Sequence, residues 1–278
     1  AQTFRDFEVL VVEDGSSVPC RDVAERYSDR LDLHYYTKPN SGPGQTRNYG
    51  AERSRGEYLI ILDSDCILPP DYLAAVEKEL QTAPADAFGG PDRAHPSFSN
   101  IQKAINYSMT SFFTTGGIRG GKKKMDKFYP RSFNMGVRRE VYLALGGFSK
   151  MRFGEDIDFS IRIFKGGYRC RLFPDAWVYH KRRTDLKKFF KQVHNSGIAR
   201  INLYKKYPES LKLVHLLPAL FTLGTAVLLV GALFCPYAPL PLVLYALLVC
   251  ADSALQNHSL RICLLYTSPS PRDRTRSR

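Results

Sequence analysis

The sequence has no pair of cysteines spaced as Cys-x-x-Cys. Its six cysteines stand alone at positions 20, 66, 170, 235, 250 and 263. That scatter excludes a zinc ribbon and a disulfide framework, and it suits a reducing compartment. Acidic residues are in short supply: 27 Asp and Glu face 40 Lys and Arg, for a net charge of +13. Such an excess can serve nucleic acid, anionic lipid or phosphorylated small molecules. No helix-turn-helix, zinc-finger or RRM-like pattern accompanies it, so nucleic acid is set aside as a partner. The chain starts without Met or a signal peptide, and an apolar strand around Phe7 to Val12 comes almost at once. We read it as a piece that lacks its N-terminal part. Charge itself is missing from Leu213 to Ala251, where 39 consecutive residues include no Asp, Glu, Lys or Arg.

What is present begins as an alternation of strand and helix. "FEVLVVEDGSS" is an apolar strand that ends in a polar turn. "RDVAERYSD" has helical spacing, and "LDLHYYTK" is a second strand. "NSGPGQTRNYGAERSRG" is a Gly/Pro loop that opens a helix, and "EYLIILDSDC" is the third strand. "PPDYLAAVEKELQ" begins with prolines, which suit a helix's first turn. Short apolar strands separated by helices predict an α/β fold with a mostly parallel sheet covered on both faces. Farther on, "NIQKAINYSMTSFF" reads as a helix and "TTGGIRGGKKKMDK" as a Gly- and Lys-rich loop. A helix is expected from Glu155 to Phe164, with Ile157, Ile161 and Phe164 on one stripe, and strands on either side of Pro174.

The charge-free run predicts two membrane spans, 213–234 and 239–256, broken by "CPYAPLP"; a buried hairpin of core helices is the plainer alternative. The first would be ~33 Å long as a helix, enough to cross a bilayer core. Lys181, Arg182, Arg183, Lys187, Lys188, Lys205, Lys206 and Lys212 precede it. The positive-inside rule then puts the main domain in the cytoplasm, on a multi-pass protein of the inner membrane. These basic residues also suit anionic headgroups. The organisation expected is a catalytic domain over 1–207, a membrane segment over 208–258 and a non-native-looking or disordered tail over 259–278.

Three acidic signals carry the chemistry. Asp63 and Asp65 follow the third strand one residue apart. If the strand runs on through Ser64, both carboxylates point the same way, at the strand end where open α/β sheets bind ligands. Two close carboxylates repel unless a cation lies between them, and oxygen ligands suit Mg²⁺ or Mn²⁺. A polar turn with a helix cap is the plainer alternative. Glu13 and Asp14 likewise end the first strand; Asp14 could bind a base or ribose, or simply sit in a solvated turn. Glu155 and Asp156 stand at a helix start, where the helix dipole favours acids, or where one of them could act as general base toward a hydroxyl.

Together, "QTFRDFEVLVVEDGS", "GPGQTRNYGAERSRGEYLIILDSDC", "SFNMGVRREVYLALGGF" and "GEDIDFSIRIF" resemble the family 2 inverting glycosyltransferases of the GT-A fold, over about residues 2 to 207. The basic strip "YHKRRTDLKKFFKQVHNSGIARINLYKKYP" ahead of apolar segments is similar to the bacterial exopolysaccharide subgroup, including succinoglycan-type enzymes. The resemblance implies a Rossmann-like GT-A domain whose opening strand would precede residue 1. It also implies a nucleotide-diphosphate sugar donor, a UDP-sugar foremost, a lipid-linked saccharide acceptor, and Mn²⁺ or Mg²⁺. By the same resemblance Asp14, with Glu13 beside it, contacts the base. Asp63 lies near ribose and sugar, and Asp65 ligates the metal. Arg47 approaches the nucleotide. Asp156 deprotonates the acceptor, with Glu155 beside it. His180 is either a metal ligand, as in some GT-A enzymes, or a packed or solvated histidine. Gln192 and Arg200 sit where processive relatives carry a Gln-x-x-Arg-Trp element, and with Asn134 they are candidates for acceptor contact; the different spacing and missing Trp argue against processivity. Glu13 stands where the family more often has Asp. The loop "GGIRGGKKKMDK" could close over the donor or touch an anionic acceptor. Two other readings stay open. A sugar nucleotidyltransferase would want a Gly-rich basic phosphate loop near the N-terminus, and a membrane scaffold would carry a degenerate nucleotide-binding domain.

Overall fold

The computed structural model describes residues 2–115 and 128–257. The loop "GGIRGGKKKMDK" and the tail 259–278 lie outside the described residues. In chain order the elements are β1 (Glu8–Asp14), α1 (Arg21–Glu25), β2 (Asp32–Lys38), α2 (Pro43–Arg53), β3 (Tyr58–Leu62), β4 (Cys66–Ile67), α3 (Tyr72–Thr82), β5 (Ala87–Gly89) and β6 (Asp92–Arg93). There follow α4 (Asn100–Thr110), α5 (Phe112–Thr115), β7 (Asn134–Arg138), α6 (Arg139–Ala144), α7 (Glu155–Lys165), β8 (Cys170–Leu172) and β9 (Val178–His180). The last described helices are α8 (Leu186–Lys206), α9 (Leu217–Gly231) and α10 (Leu240–Asn257). Two compact units emerge: Ala1–His95 with Met125–Lys181, and Pro96–Lys124 with Arg182–Arg278.

The first unit is α/β, but its sheets are mixed rather than mostly parallel. β1 and β2 pair in parallel, from Glu8↔Asp32 to Asp14↔Lys38. The larger sheet runs β3-β7-β5-β8. β7 lies antiparallel to both β3 and β5, while β5 and β8 are parallel. A third sheet orders β4-β9-β6. The cause of the mixture is β7. It enters from a distant part of the chain and inserts between β3 and β5, a pairing that local periodicity cannot signal.

β3 is covered on both faces, as its unbroken apolar run predicts. Leu59 and Ile61 join one core with Met135, Val137, Phe148, Phe159 and Ile163. Tyr58, Ile60 and Leu62 join the other with Tyr72, Val76, Phe88, Phe173 and Val178. The period of two thus divides one strand between two cores. Each buried side chain of this size contributes roughly 1.5–3 kcal/mol. β7 shows why its centre is glycine. Phe88 stacks on Phe173 with centroids 4.5 Å apart, and a Cβ on Gly136 would stand 2.0 Å from Phe88 Cζ.

In the second unit, α4 opens with a capping box in which Ser99 and Gln102 each receive the other's backbone N–H; this satisfies donors that a helix start leaves free. α10 docks on α4 through Asp252, whose carboxylate accepts from Tyr107 Oη at 2.6 Å and Ser111 Oγ at 3.0 Å. Tyr245 Oη donates to Phe113 O at 2.9 Å. Asp185 caps α8 by accepting from Lys188 N at 2.7 Å. Among the described residues one helix, Leu213–Gly231, is long and apolar enough to cross a membrane, with mean hydropathy 2.2. The apolar helix Leu240–Gln256 is shorter. Among the described residues the expected pair of spans thus reduces to one candidate.

Candidate active site

β3 delivers its acids differently from the expectation. The strand stops at Leu62, and Cys66 N donates to Asp63 O at 3.0 Å, closing a turn over Asp63–Cys66. The two carboxylates therefore meet different partners instead of sharing one face.

Asp63 turns to α2. Arg47 donates from Nη2 to Asp63 Oδ1 at 2.8 Å and from Nη1 to Glu155 Oε1 at 3.0 Å. One guanidinium thus ties the end of β3 to the first turn of α7. That helix is buried nearly all round: Glu155, Asp156, Asp158, Phe159, Ser160, Ile161 and Ile163 are all buried. Its acids survive burial because each meets an arginine. Arg131 Nε donates to Asp156 Oδ2 at 2.7 Å, and Arg162 Nε to Asp158 Oδ2 at 3.0 Å. The N–H of Ile157 also donates to Asp156 Oδ1 at 2.8 Å. Unpaired, such carboxylates would cost several kcal/mol each.

The two neighbouring acids titrate in opposite directions. Burial, then the charge of Asp156, raises the Glu155 carboxyl above its ordinary value, although Arg47 opposes this. Burial also pushes Asp156 upward, but the charge and hydrogen bond of Arg131 outweigh it, and the net shift is down. Asp156 thus lies below its ordinary value and is aimed by Arg131.

Asp14 anchors the loop that leads into α2. Its Oδ1 accepts from Ser41 N at 2.9 Å and its Oδ2 from Gly42 N at 2.9 Å, while Lys38 Nζ also donates to it. Burial raises its pKa, but Lys38, the two backbone donors and Thr46 bring it down to about 2. Gly42, the N-cap of α2, has φ +88°, which favours a residue without Cβ. Pro43 then starts the helix that presents Arg47. Glu13 is buried, with Oε2 lacking a hydrogen-bond partner.

Asp65 turns the other way, to β9. Its Oδ1 lies 3.3 Å from His180 Nε2, a junction made by the pairing Cys66↔His180. The ring stacks on Phe133 at 4.9 Å. His180 Nδ1 is buried without a hydrogen bond, 4.0 Å from Asp92 Oδ2. Ligand atoms of Asp65, Cys66 and His180 all lie within 4.8 Å of one another. The Asp65–His180 spacing suits adjacent ligands of one ion bound at about 2.1 Å. Burial, then the charges of Asp63 and Asp65, pushes the Cys66 thiol up to about 12. Asp65 and His180 thus offer a carboxylate oxygen and an imidazole nitrogen to a divalent ion, a mixed pair that Mn²⁺ accepts more readily than Mg²⁺, which prefers oxygen donors.

The remaining candidates lie elsewhere. Asn134 is 1% exposed, with Oδ1 accepting from Tyr72 Oη at 2.6 Å and Nδ2 donating to Ala176 O at 2.8 Å. Its amide braces β7 against α3 and has no surface to offer an acceptor. Gln192 and Arg200 lie on α8 in the second unit, where Gln192 Oε1 accepts from Arg183 Nε at 3.2 Å. Sequence reasoning missed Lys38, Arg131 and Cys66. Lys38 was within reach, since parallel alignment of β1 and β2 sets it opposite Asp14; nothing in "FYPRSFN" marks Arg131 as the partner of Asp156.

A mixed α/β domain with its acids gathered past the end of β3 is of the GT-A-like class. The mannosyltransferase PcManGT of Pyrobaculum calidifontis, solved with GDP-Man and Mn²⁺, shares this fold: TM-score 0.60 at 18% identity, over 97% of this chain and 81% of that one. The chain is a member of glycosyltransferase family 2, whose model, described as "Glycosyl transferase family 2", matches residues 1–146. It is 27% identical over 195 residues to "Probable glycosyltransferase YdaM" of Bacillus subtilis (strain 168), covering 66% of this chain and 46% of that protein. It is 26% identical over 201 residues to the succinoglycan biosynthesis protein ExoM of Rhizobium meliloti (strain 1021), covering 68% and 62%. The chain thus spans about half the length of YdaM and somewhat more of ExoM.

Proposed function

We propose that the chain moves a sugar from a nucleotide-diphosphate donor, a UDP-sugar foremost, to a hydroxyl of a lipid-linked saccharide, with inversion. The setting is exopolysaccharide or cell-envelope synthesis on the cytoplasmic face of a bacterial inner membrane. The observation that carries this reading is the Arg47 bridge, which joins Asp63 to Glu155 and so brings the acids after β3 toward those that open α7. The membrane setting draws support from Leu213–Gly231 and the basic residues before it. The name of ExoM and the ligands of PcManGT favour the pathway and the donor class.

Asp65 and His180 would hold the divalent ion, which when bound neutralises the diphosphate leaving group. Asp156, kept ionised by Arg131, accepts the proton of the acceptor hydroxyl. The hydroxyl oxygen attacks the anomeric carbon while the bond to the diphosphate breaks, and the electron pair leaves on the diphosphate. A single displacement of this kind needs no protein nucleophile and inverts the centre, as the inverting glycoside hydrolases do. Asp14, which by the family resemblance would contact the base, also fixes the Ser41–Gly42 turn ahead of Arg47.

Calorimetric titration of the detergent-solubilised chain with UDP-sugars tests the donor side. Binding is expected to need Mn²⁺ or Mg²⁺ and to be lost in Asp65→Ala, while Asp156→Asn still binds. Metal-independent binding, unchanged in Asp65→Ala, would overturn the metal assignment.

A further inference from the structure

Cys66 stands beside the Asp65–His180 pair and has no part in the transfer chemistry described above. β4 and β9 pair antiparallel with Cys66 directly opposite His180, so thiol and imidazole lie on one face of that ladder. Lys181 N donates to Asp65 O at 3.1 Å and pins the preceding residue to the same junction. The thiol is half-buried, and its Sγ donates to Phe133 O at 3.5 Å. Ligand atoms of all three residues lie within 4.8 Å of one another.

Bond lengths decide whether one ion can reach all three. Bonds of ~2.1 Å to oxygen or nitrogen and ~2.3 Å to sulfur put tetrahedral neighbours about 3.4–3.6 Å apart. Asp65 Oδ1 and His180 Nε2 stand 3.3 Å apart. The 4.8 Å span of the trio leaves Sγ within a side-chain rotation of the third corner. His180 is prepared from behind. Ligation through Nε2 leaves the ring proton on Nδ1, which is buried without a hydrogen bond, 4.0 Å from Asp92 Oδ2. A carboxylate behind a metal-bound imidazole fixes its tautomer. The sulfur then decides which ion gains: thiolate favours Zn²⁺, whereas Mg²⁺ and Mn²⁺ favour oxygen.

We propose that Cys66 is a third ligand, used by thiophilic ions and not by Mn²⁺ or Mg²⁺, and that through it Zn²⁺ displaces the ion that supports transfer. This role rests on the Asp65–His180 metal site proposed above and adds regulation by zinc to it. The ion takes the place of the thiol proton, which leaves to solvent. Three protein ligands leave tetrahedral Zn²⁺ one open position, whereas six-coordinate Mn²⁺ or Mg²⁺ on two ligands keeps four. A diphosphate that grips through two oxygens fits the second arrangement, so zinc opposes donor binding.

The test uses the full chain in detergent, stripped with EDTA and titrated with Co²⁺. Cobalt stands in for zinc and reports thiolate ligation by a charge-transfer band in the near ultraviolet. The band is expected in the parent and lost in Cys66→Ser. Zn²⁺ affinity should fall in that variant by at least the ~10–100-fold that loss of an outer partner of a metal ligand costs. Mn²⁺ binding, read by electron paramagnetic resonance, should be unchanged, which also shows that the variant folds. Zn²⁺ should expel Mn²⁺ from the parent at far lower concentration than from the variant. Any site ranks Zn²⁺ above Mn²⁺, so the difference between the two proteins carries the result. If Cys66→Ser does not fold, alkylation of Cys66 in the parent, mapped by mass spectrometry, reads the same contact: Zn²⁺ should block it and Mg²⁺ should not. Cobalt bound without the band, a band that persists in Cys66→Ser, or equal Zn²⁺ affinity in both proteins would overturn the proposal and leave the Asp65–His180 site standing. A parent that binds neither Mn²⁺ nor Co²⁺, or binding unchanged in Asp65→Ala, would overturn that site as well.

Discussion

Replacing Arg47 by methionine removes a guanidinium that two carboxylates share. The side chains are 17% exposed for Arg47, 32% for Asp63 and 11% for Glu155. Removing one partner of a buried pair costs about 3–5 kcal/mol, whereas an exposed pair is worth about 0–1 kcal/mol. The Glu155 half belongs near the first range and the Asp63 half in the second, so a loss of about 3 kcal/mol is expected at neutral pH. Glu155 can escape part of this cost by taking a proton. Burial and Asp156 already raise its pKa, and Arg47 is among the groups restraining it. Without Arg47 the folded pKa rises further above the unfolded value of 4.5. A raised folded pKa means stability is kept below the unfolded pKa and lost as pH climbs through the folded one. The defect should therefore be smaller at about pH 5 than at about pH 8. Thermal unfolding of the solubilised chain, followed by Trp177 fluorescence in the first unit, reads both conditions. The higher pH should lower Tm by about 6–12 °C, at ~2–4 °C per kcal/mol. A Tm within about 1 °C of the parent, or an equal loss at both pH values, would refute the reasoning.

Three further outcomes rest on the same contacts. Asp14 has its pKa depressed from 3.8 to about 2, so its stabilising effect is full above about pH 4 and lost as pH falls through about 2. With solvent screening this is about 1 kcal/mol, and Asp14→Asn should flatten acid unfolding curves over that window. Gly136→Ala drives a methyl into Phe88, itself stacked on Phe173. It should cost about 3 kcal/mol, the upper end for an overpacked core, measurable by the same Trp177 melt. Tyr107→Phe removes the shorter bond to Asp252 and should cost about 1–2 kcal/mol, raising amide exchange in α4 and α10.

Local chemistry was legible in the sequence and distant pairing was not. The apolar run Tyr58–Leu62 announced a strand covered on both faces, and the structure divides its side chains between two cores. The Gly/Pro loop before α2 and the acids at 155 and 156 announced two helix starts, which stand at Pro43 and Glu155, whereas the prolines at 69 and 70 precede α3 rather than forming its first turn. The stripe of α7 was less well read. Ile157, Ile161 and Phe164 have the right spacing, yet Phe159 and Ile163 are the fully buried pair, because the helix is packed on nearly every side. The contacts that build the site join residues far apart: Arg47 to Glu155, Asp65 to His180, Arg131 to Asp156. Two of these depend on β7 and β9 entering their sheets antiparallel to β3 and β4, and hydrophobic period carries no information on partner or direction. The turn at Asp63 escaped for a related reason: strand pattern sets alternation only while the strand lasts.

The central claim is metal-assisted transfer with Asp156 as base, and one assay meets it directly. The chain in membranes is given labelled UDP-sugar and lipid-linked saccharide, with and without Mn²⁺, and the anomeric configuration of the product is determined. The account predicts an inverted product that forms only with the ion and is lost in Asp65→Ala and Asp156→Asn. With donor binding expected to persist in Asp156→Asn, loss of transfer in that variant separates the base from the binding site. Transfer that retains configuration, or that survives both substitutions, would contradict the account.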